Sequence, residues 1–203
     1  MSLRRETVSP QLFALLQRMM AEEALSAFAL GGGTSLALRL GHRRSIDIDL
    51  FSTEPFDAGE LAETLPATLP MEEVSTARNS VSGLIGGIKV DLLAHRYPLV
   101  RETEDLEGVR LLSLEDVAAM KLNAIANRGS KKDFWDYAEL LARFDREEML
   151  AFFATKYSRN SLWNLERALL WFDDAESEPD PLDLSDRSWE EVKRLIRRSN
   201  RME

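Results

Sequence analysis

Leu12, Leu15, Leu16, Met19 and Met20 recur at three- and four-residue intervals and predict an amphipathic helix over about 9–24. The apolar segment AFAL, residues 27–30, runs into Gly31, Gly32 and Gly33, and the TSLALRL that follows is rich in helix formers, so the order expected is strand, tight turn, helix. SIDIDLF, residues 45–51, alternates with the period of a strand, which puts Ile46, Ile48 and Leu50 on one face and Asp47 and Asp49 on the other. Further strands are expected near 70–77, 81–86 and 88–94, with a helix between Asp57 and Leu65. From Ser113 the period turns helical: SLEDVAAMKLNAI opens on a Ser N-cap with an acid three residues later, close to a capping box. Helices are then expected over 131–143, 145–155, 159–172 and 188–198. The pattern divides the chain into an α/β half, 1–112, and a helical half, 113–203, an α+β organisation with no internal repeat.

Composition narrows the classes. The 203 residues suffice to bury a core, and no apolar run approaches the roughly 20 residues of a membrane span, so no membrane partner is expected. The opening MSLRRETVSP lacks the apolar stretch of a secretory signal, and the absence of cysteine fits a reducing cytoplasm, the expected location. Without thiols, and with only His42 and His95 as nitrogen ligands, zinc is not expected. A net charge of −9 argues against nucleic-acid binding over a broad positive surface. The charge is uneven, however. Residues 173–186 carry seven acids, Pro179 and Pro181, and no Lys or Arg, and read as an exposed connector. Beyond it, Lys193, Arg197 and Arg201 form one basic row and Arg194 and Arg198 another, while Trp189, Val192 and Ile196 make an apolar stripe. This tail helix has two readings: an electrostatic handle for RNA, or a packed helix whose cations pair with the acidic connector.

Two carboxylates at i and i+2 on a strand stand on one face with Cα atoms about 6.6 Å apart, within reach of a shared divalent cation. By itself an Asp-x-Asp is also what a solvated strand face looks like. The upstream context changes the balance: in GGGTSLALRLGHRRSIDIDLF, glycines enter a helix thirteen residues before Asp47. Glycine lets backbone approach a phosphate closely, and a helix N-terminus offers it unpaired N–H groups. Gly32, Gly33, Thr34 and Ser35 followed by Asp47 and Asp49 resemble the signature of the polymerase-β nucleotidyltransferase superfamily. That resemblance implies Mg²⁺, an NTP substrate and a third carboxylate on a neighbouring strand. GGIKVDLLA supplies Asp91, with Ile88, Val90 and Leu92 facing the other way. Its implied role is to bind the metal and help deprotonate the attacking hydroxyl.

A closer likeness lies in LRLGHRRSIDIDLF, LEDVAAMKLNAIANR and KKDFWDYAELL, which resemble the AbiEii/AbiGii toxin family of nucleotidyltransferases over residues from about 28 to 142. The resemblance implies a polymerase-β-type domain with a mixed sheet followed by a helical domain. It also implies an antitoxin protein as partner, a place in toxin–antitoxin or phage-defence systems and, in some members, nucleotide transfer to tRNA ends. It carries function onto Ser45, Asp47, Asp49, Asp91, Lys121, and Asp133 or Asp136. Where the family's last motif has an arginine before the first aspartate, this chain has Lys132, which keeps the charge without the bidentate fork.

The residues speak to some of these roles directly. Lys121 falls within the apolar stripe Leu114, Val117, Ala118, Leu122 and Ile125, so it either finds a phosphate or carboxylate partner or snorkels at the stripe's edge. Asp133 and Asp136 lie one turn apart with Leu140 on the same face, so at least one is expected to point inward toward Lys121 or a nucleotide, or else Asp133 serves the helix dipole. His42, Arg43 and Arg44 precede the carboxylate strand, within reach of a triphosphate or the acceptor. His95 reads as structural, and Phe134, Trp135, Trp163 and Trp171 as core. A small-molecule nucleotidyltransferase of the aminoglycoside-modifying kind, suited to a cationic substrate, and a non-catalytic nucleotide-binding module are the rival functions. Possession of all three carboxylates argues against the latter.

Overall fold

The structure is a computed structural model and describes residues 2–65, 69–157 and 162–200. Helix α1 (Pro10–Ala21) starts where expected, with Ser9 accepting from the Leu12 N–H and proline at the first turn, but it stops at Ala21 and a 3-10 turn follows. Strand β1 (Ala29–Leu30) leads into α2 (Gly32–Leu40), which Gly41 ends in the left-handed conformation. Then come β2 (Ile48–Ser52), α3 (Ala58–Thr64), β3 (Glu72–Ala77), β4 (Ser80–Ile85) and β5 (Ile88–Ala94). A short hairpin, β6 (Glu104–Leu106) and β7 (Val109–Leu111), was not foreseen, because three-residue strands carry too little alternation to register.

The seven strands form one mixed sheet in the order β3-β4-β5-β2-β1-β7-β6, with β2 parallel to β5 and β1 antiparallel to β2. Pleating sorts its faces. Ile48, Leu50, Val81, Val90 and Leu92 join α1 and α3 in one core, together with Leu12, Leu16, Met19 and Leu61. Asp49, Phe51, Asp91 and Leu93 belong to the opposite face of the same two strands. One expectation fails here: Ile46 is 72% exposed, since β2 begins only at Ile48 and the preceding residues follow a loop rather than the pleat.

The helical half comprises α4 (Leu114–Asn127), α5 (Lys131–Leu140), α6 (Arg146–Tyr157), α7 (Leu162–Ala168), α8 (Asp173–Glu176) and α9 (Trp189–Ser199). The part of the expected 159–172 helix before Leu162 lies outside the described residues. Ser113 caps α4 by accepting from the Asp116 N–H. The Asp116 carboxylate does not close a capping box. It accepts from the Val100 and Arg101 N–H groups and from the buried Lys156 ammonium at 2.6 Å, tying the loop after β5 to α4 and α6.

A second core joins these helices to Ala29, Leu36 and Leu112. Phe134 and Trp135 are buried in it as expected. Trp163 and Trp171 are not: they are 66% and 57% exposed, and the buried stripe of that segment is Leu165, Leu169 and Phe172 instead. Helix α9 opens with a capping box of Ser188 and Glu191 and buries Trp189, Val192 and Ile196. Trp189 stacks on Trp135 with ring centroids 6.0 Å apart and donates to Glu176, which also receives the Lys193 ammonium at 2.6 Å. The tail therefore packs, and one of its cations pairs with the acidic segment. Arg194, Arg197 and Arg198 remain exposed, and Arg201 lies outside the described residues.

Replacing a buried Trp by Ala costs about 3–5 kcal/mol. Trp189→Ala is expected to lower the unfolding free energy by that order in urea titration, with retention of wild-type stability showing that α9 is not part of the folded body.

Candidate active site

A cavity of about 690 Å³ opens between the polar face of the sheet and the helical half, lined by Gly32, Gly33, Asp47, Asp49 and Asp91 on one side and by α4 on the other. In the parallel pairing of β2 with β5, Asp49 and Asp91 are direct partners, so their carboxylates leave adjacent strands about 4.8 Å apart on the same face. Asp47, just ahead of β2, joins them at the cavity wall. Burial, and then the neighbouring Asp91 charge, push the Asp49 carboxyl above its ordinary pKa. The exposed Lys89 ammonium donates to Asp91 at 2.7 Å.

The glycines are fixed by space. Gly32 has φ +63°, and a Cβ there would lie 2.6 Å from Asp49 Oδ2. At Gly33 a Cβ would strike the Arg43 guanidinium. The start of α2 therefore rests on the carboxylate strand, and no side chain caps its first N–H groups. Thr34 and Ser35 do not reach the cavity. The Thr34 hydroxyl donates to the Asp47 carbonyl and shares a hydrogen bond with Ser45 Oγ at 2.8 Å, fastening α2 to the residues leading into β2. Ser35 Oγ is buried without a partner among the described residues.

Lys121 has carboxylate partners, Asp133 at 3.0 Å and Asp136 at 2.7 Å. Arg43 adds a bidentate grip on Asp136 at 2.6 and 2.8 Å, and His42 Nε2 meets the same carboxylate at 2.8 Å. Arg128 and Ser130 hold Asp133. Neither Asp133 nor Asp136 lines the cavity, whereas Lys121, Arg43 and Arg128 do. Three permanent cations thus share two buried carboxylates, leaving a surplus positive charge that faces Asp47 and Asp49. Arg44, Ser45 and the exposed Lys132 complete that end of the wall. The opposite end carries Phe51, Leu93, His95 and Tyr157.

The acidic segment was not legible as part of the site. Although largely exposed, it runs back along the residues before β2: Arg44 N–H donates to the Leu182 carbonyl, Leu184 N–H to the His42 carbonyl, and Arg43 and Asp183 form a bridge. Glu178 accepts from the first N–H of α5, Asp180 receives the Lys131 ammonium and Asp183 accepts from Trp135. Residues 178–182 become a cavity wall. Arg128, Lys89 and Tyr157 were likewise missed. The only local signal was Lys89 standing two residues from Asp91, on the same face of the strand.

A family model described as nucleotidyl transferase AbiEii toxin, type IV TA system, matches residues 14–81 and 87–200. The chain belongs to this family. An uncharacterized protein of Aquifex aeolicus strain VF5, aq_aa25, is 32% identical over 190 residues, covering 90% of this chain and 91% of its own. Among solved structures, MenT4, a nucleotidyltransferase toxin of Mycobacterium tuberculosis, superposes with a TM-score of 0.60 at 16% identity over 92% of this chain and 82% of its own. JHP933 from Helicobacter pylori gives 0.54 at 18% identity, covering 95% and 91%. At these identities the structural likenesses establish the polymerase-β-like nucleotidyltransferase fold. The AbiEii chain is thus an NTP-using nucleotidyltransferase toxin by family. None of its described helices is long and apolar enough to cross a membrane.

Two groups give the AbiEii fold separable acid limbs. Burial, and then the Lys156 charge, depress His95 to about 4, so the folded state binds fewer protons than an unfolded chain with histidine near 6.5, and stability falls as pH drops from about 6.5 to 4. Burial pushes the Asp133 carboxyl up, but Lys121 and Arg128 bring it down to about 2. Its contribution is complete above about pH 4 and is lost as pH falls through about 2. Urea midpoints against pH are expected to show both declines, with His95→Phe flattening the upper one. Asp133→Asn should flatten the lower one and cost about 3–5 kcal/mol at neutral pH. A profile unchanged in both variants would exclude this assignment.

Proposed function

We propose that this toxin transfers a nucleoside monophosphate from an NTP to an acceptor hydroxyl and releases pyrophosphate, with Mg²⁺ held by Asp47, Asp49 and Asp91. The observation that carries the reading is the Asp49–Asp91 register pair beside the uncapped start of α2, both facing one cavity. Among the described residues no three acidic or imidazole side chains converge as a finished metal cage. Mg²⁺ fits nonetheless, because it needs only one or two carboxylates and takes its other oxygens from water and substrate phosphate. The raised Asp49 pKa fits too: burial and the adjacent Asp91 charge outweigh the opposing pull of Lys121 and Lys89, and a bound cation would relieve both.

When bound, the metal would polarise the α-phosphate and neutralise the charge that builds on the pyrophosphate. The chain's own groups do the rest. Backbone N–H groups at Gly32 and Gly33 hold phosphate oxygens, and Arg44, Ser45 and Lys132 reach the triphosphate from the basic end. Lys121 and Arg43 add positive potential from their buried network, within which Asp133 and Asp136 act as positioning residues. The acceptor oxygen bonds to the α-phosphorus as the bond to the β-phosphate oxygen breaks, and Asp91 receives the hydroxyl proton. Family membership supports an antitoxin partner and a cytoplasmic setting. A tRNA end or a protein hydroxyl is the acceptor class, and the exposed Arg194, Arg197 and Arg198 would suit the former.

Incubating the protein with each α-labelled NTP and Mg²⁺, with total RNA or alone, is expected to place label on RNA or on protein. No labelled product with any NTP would overturn the reading. Asp49→Asn is expected to lower transfer about a hundredfold or more while leaving the melting temperature unchanged or higher, since it removes a charge that burial and Asp91 already disfavour. Wild-type turnover in that variant would remove Asp49 from the metal site.

A further inference from the structure

The triphosphate machinery occupies one end of the cavity, while the other end is aromatic. Along the polar face of the two central strands the register runs in steps: Asp49 beside Asp91, then Phe51 beside Leu93, with His95 one step further on the β5 side. Each step of two residues advances about 6.6 Å. His95 sits within an aromatic cluster, its ring centroid 5.8 Å from Phe51, 4.9 Å from Tyr97 and 5.7 Å from Tyr157. A hydrogen bond of 2.9 Å between His95 Nε2 and the Tyr157 hydroxyl fixes the pair across β5 and α6. Phe51 is itself held in place, since a Cβ on Gly31 would meet its ring at 2.6 Å. On α4, Asn123 and Asn127, one turn apart, bring amide groups to the cavity wall.

We infer that the wall formed by Phe51, His95 and Tyr157 is a nucleobase-binding subsite, on which a base stacks while the phosphate of the same nucleotide lies at Asp49 and Asp91. The inference rests on the proposed transferase reading and adds the part of the substrate that the carboxylates do not touch. One strand step from the carboxylate pair to Phe51 and Leu93 matches the separation of a nucleotide's α-phosphate from its base. Flat apolar rings accept any base face; Asn127 Nδ2 donates to the Asn123 carbonyl and Oδ1, which leaves Asn123 Nδ2 as donor and Asn127 Oδ1 as acceptor for the base edge. The phosphate end carries no aromatic ring among the described residues: beside glycine backbone, cations and Ser45 its apolar lining is Ile46, Pro179, Pro181 and Leu182. The base belongs either to the incoming NTP or to the terminal nucleotide of the acceptor, and the two sources separate by experiment.

The test compares binding of each NTP with binding of inorganic triphosphate, which has no base, by calorimetry in Mg²⁺. It uses the full chain, His95→Ala, and His95→Phe, which keeps a flat ring. Stacking on one aromatic contributes roughly tenfold to a hundredfold in affinity. Wild type is expected to prefer at least one NTP over triphosphate by that order. His95→Ala should lose most of this preference with triphosphate affinity unchanged, and His95→Phe should retain it. If the NTP preference persists in His95→Ala but binding of a short single-stranded oligonucleotide weakens and is restored in His95→Phe, the base is the acceptor's and the subsite stands. Unchanged binding of both probes in His95→Ala overturns the subsite. Should His95→Ala fail to fold, Phe51→Leu is read against the same probes with the same criteria. Failure of NTP and triphosphate alike to bind wild type would instead overturn the transferase reading.

Discussion

Asp136 has no access to solvent, yet it meets His42, Arg43 and Lys121 within 2.8 Å. A buried carboxylate left alone would cost several kcal/mol, and so would each buried cation. Every partner therefore has to be in place for the others to be tolerated. Because Asp136 lies on α5 and its partners come from the residues before β2 and from α4, this one cluster sets where the carboxylate strand lies relative to the helical half. The cavity is what remains between them. Asp133 repeats the device on a smaller scale, joining the end of α4 to the start of α5 through Lys121 and Arg128.

The same cluster explains a division of labour among the charged residues. Asp133 and Asp136 are fully paired and turned away from the cavity, so their charge is spent on holding cations. Asp47 and Asp49 accept no side-chain hydrogen bond among the described residues, and Asp91 accepts one from an exposed lysine. Carboxylates of one chemical type thus become framework in one place and available ligands in another, according to whether cations are built in beside them.

Legibility in the sequence followed the range of the interactions. Asp49 beside Asp91 was readable because strand alternation and the apolar neighbours fix each face locally, and Ile88, Val90 and Leu92 left only one direction for Asp91. Lys121 was readable as a buried cation needing a partner, from the apolar stripe around it. His42 and Arg43 read as substrate-facing cations because their true partner lies more than ninety residues away, and nothing in their own neighbourhood announces it. Ile46 was misplaced because alternation was extended past the point where β2 begins. Trp163 and Trp171 share a helical spacing with buried Leu165, Leu169 and Phe172, and size alone does not select which phase faces the core. The acidic segment looked like a connector because backbone pairing with residues 42–44 has no periodic signature of its own.

That pairing has a temporal consequence. The ribosome completes α2, β2 and β5, with all three acidic ligand candidates, well before it makes residues 178–184. Until those residues emerge, the groove beside Arg43 and Arg44 has no outer wall, and the Trp135 indole and Lys131 ammonium lack the carboxylates that later receive them. A growing chain therefore carries the acidic strands before it has the segment that walls their cavity.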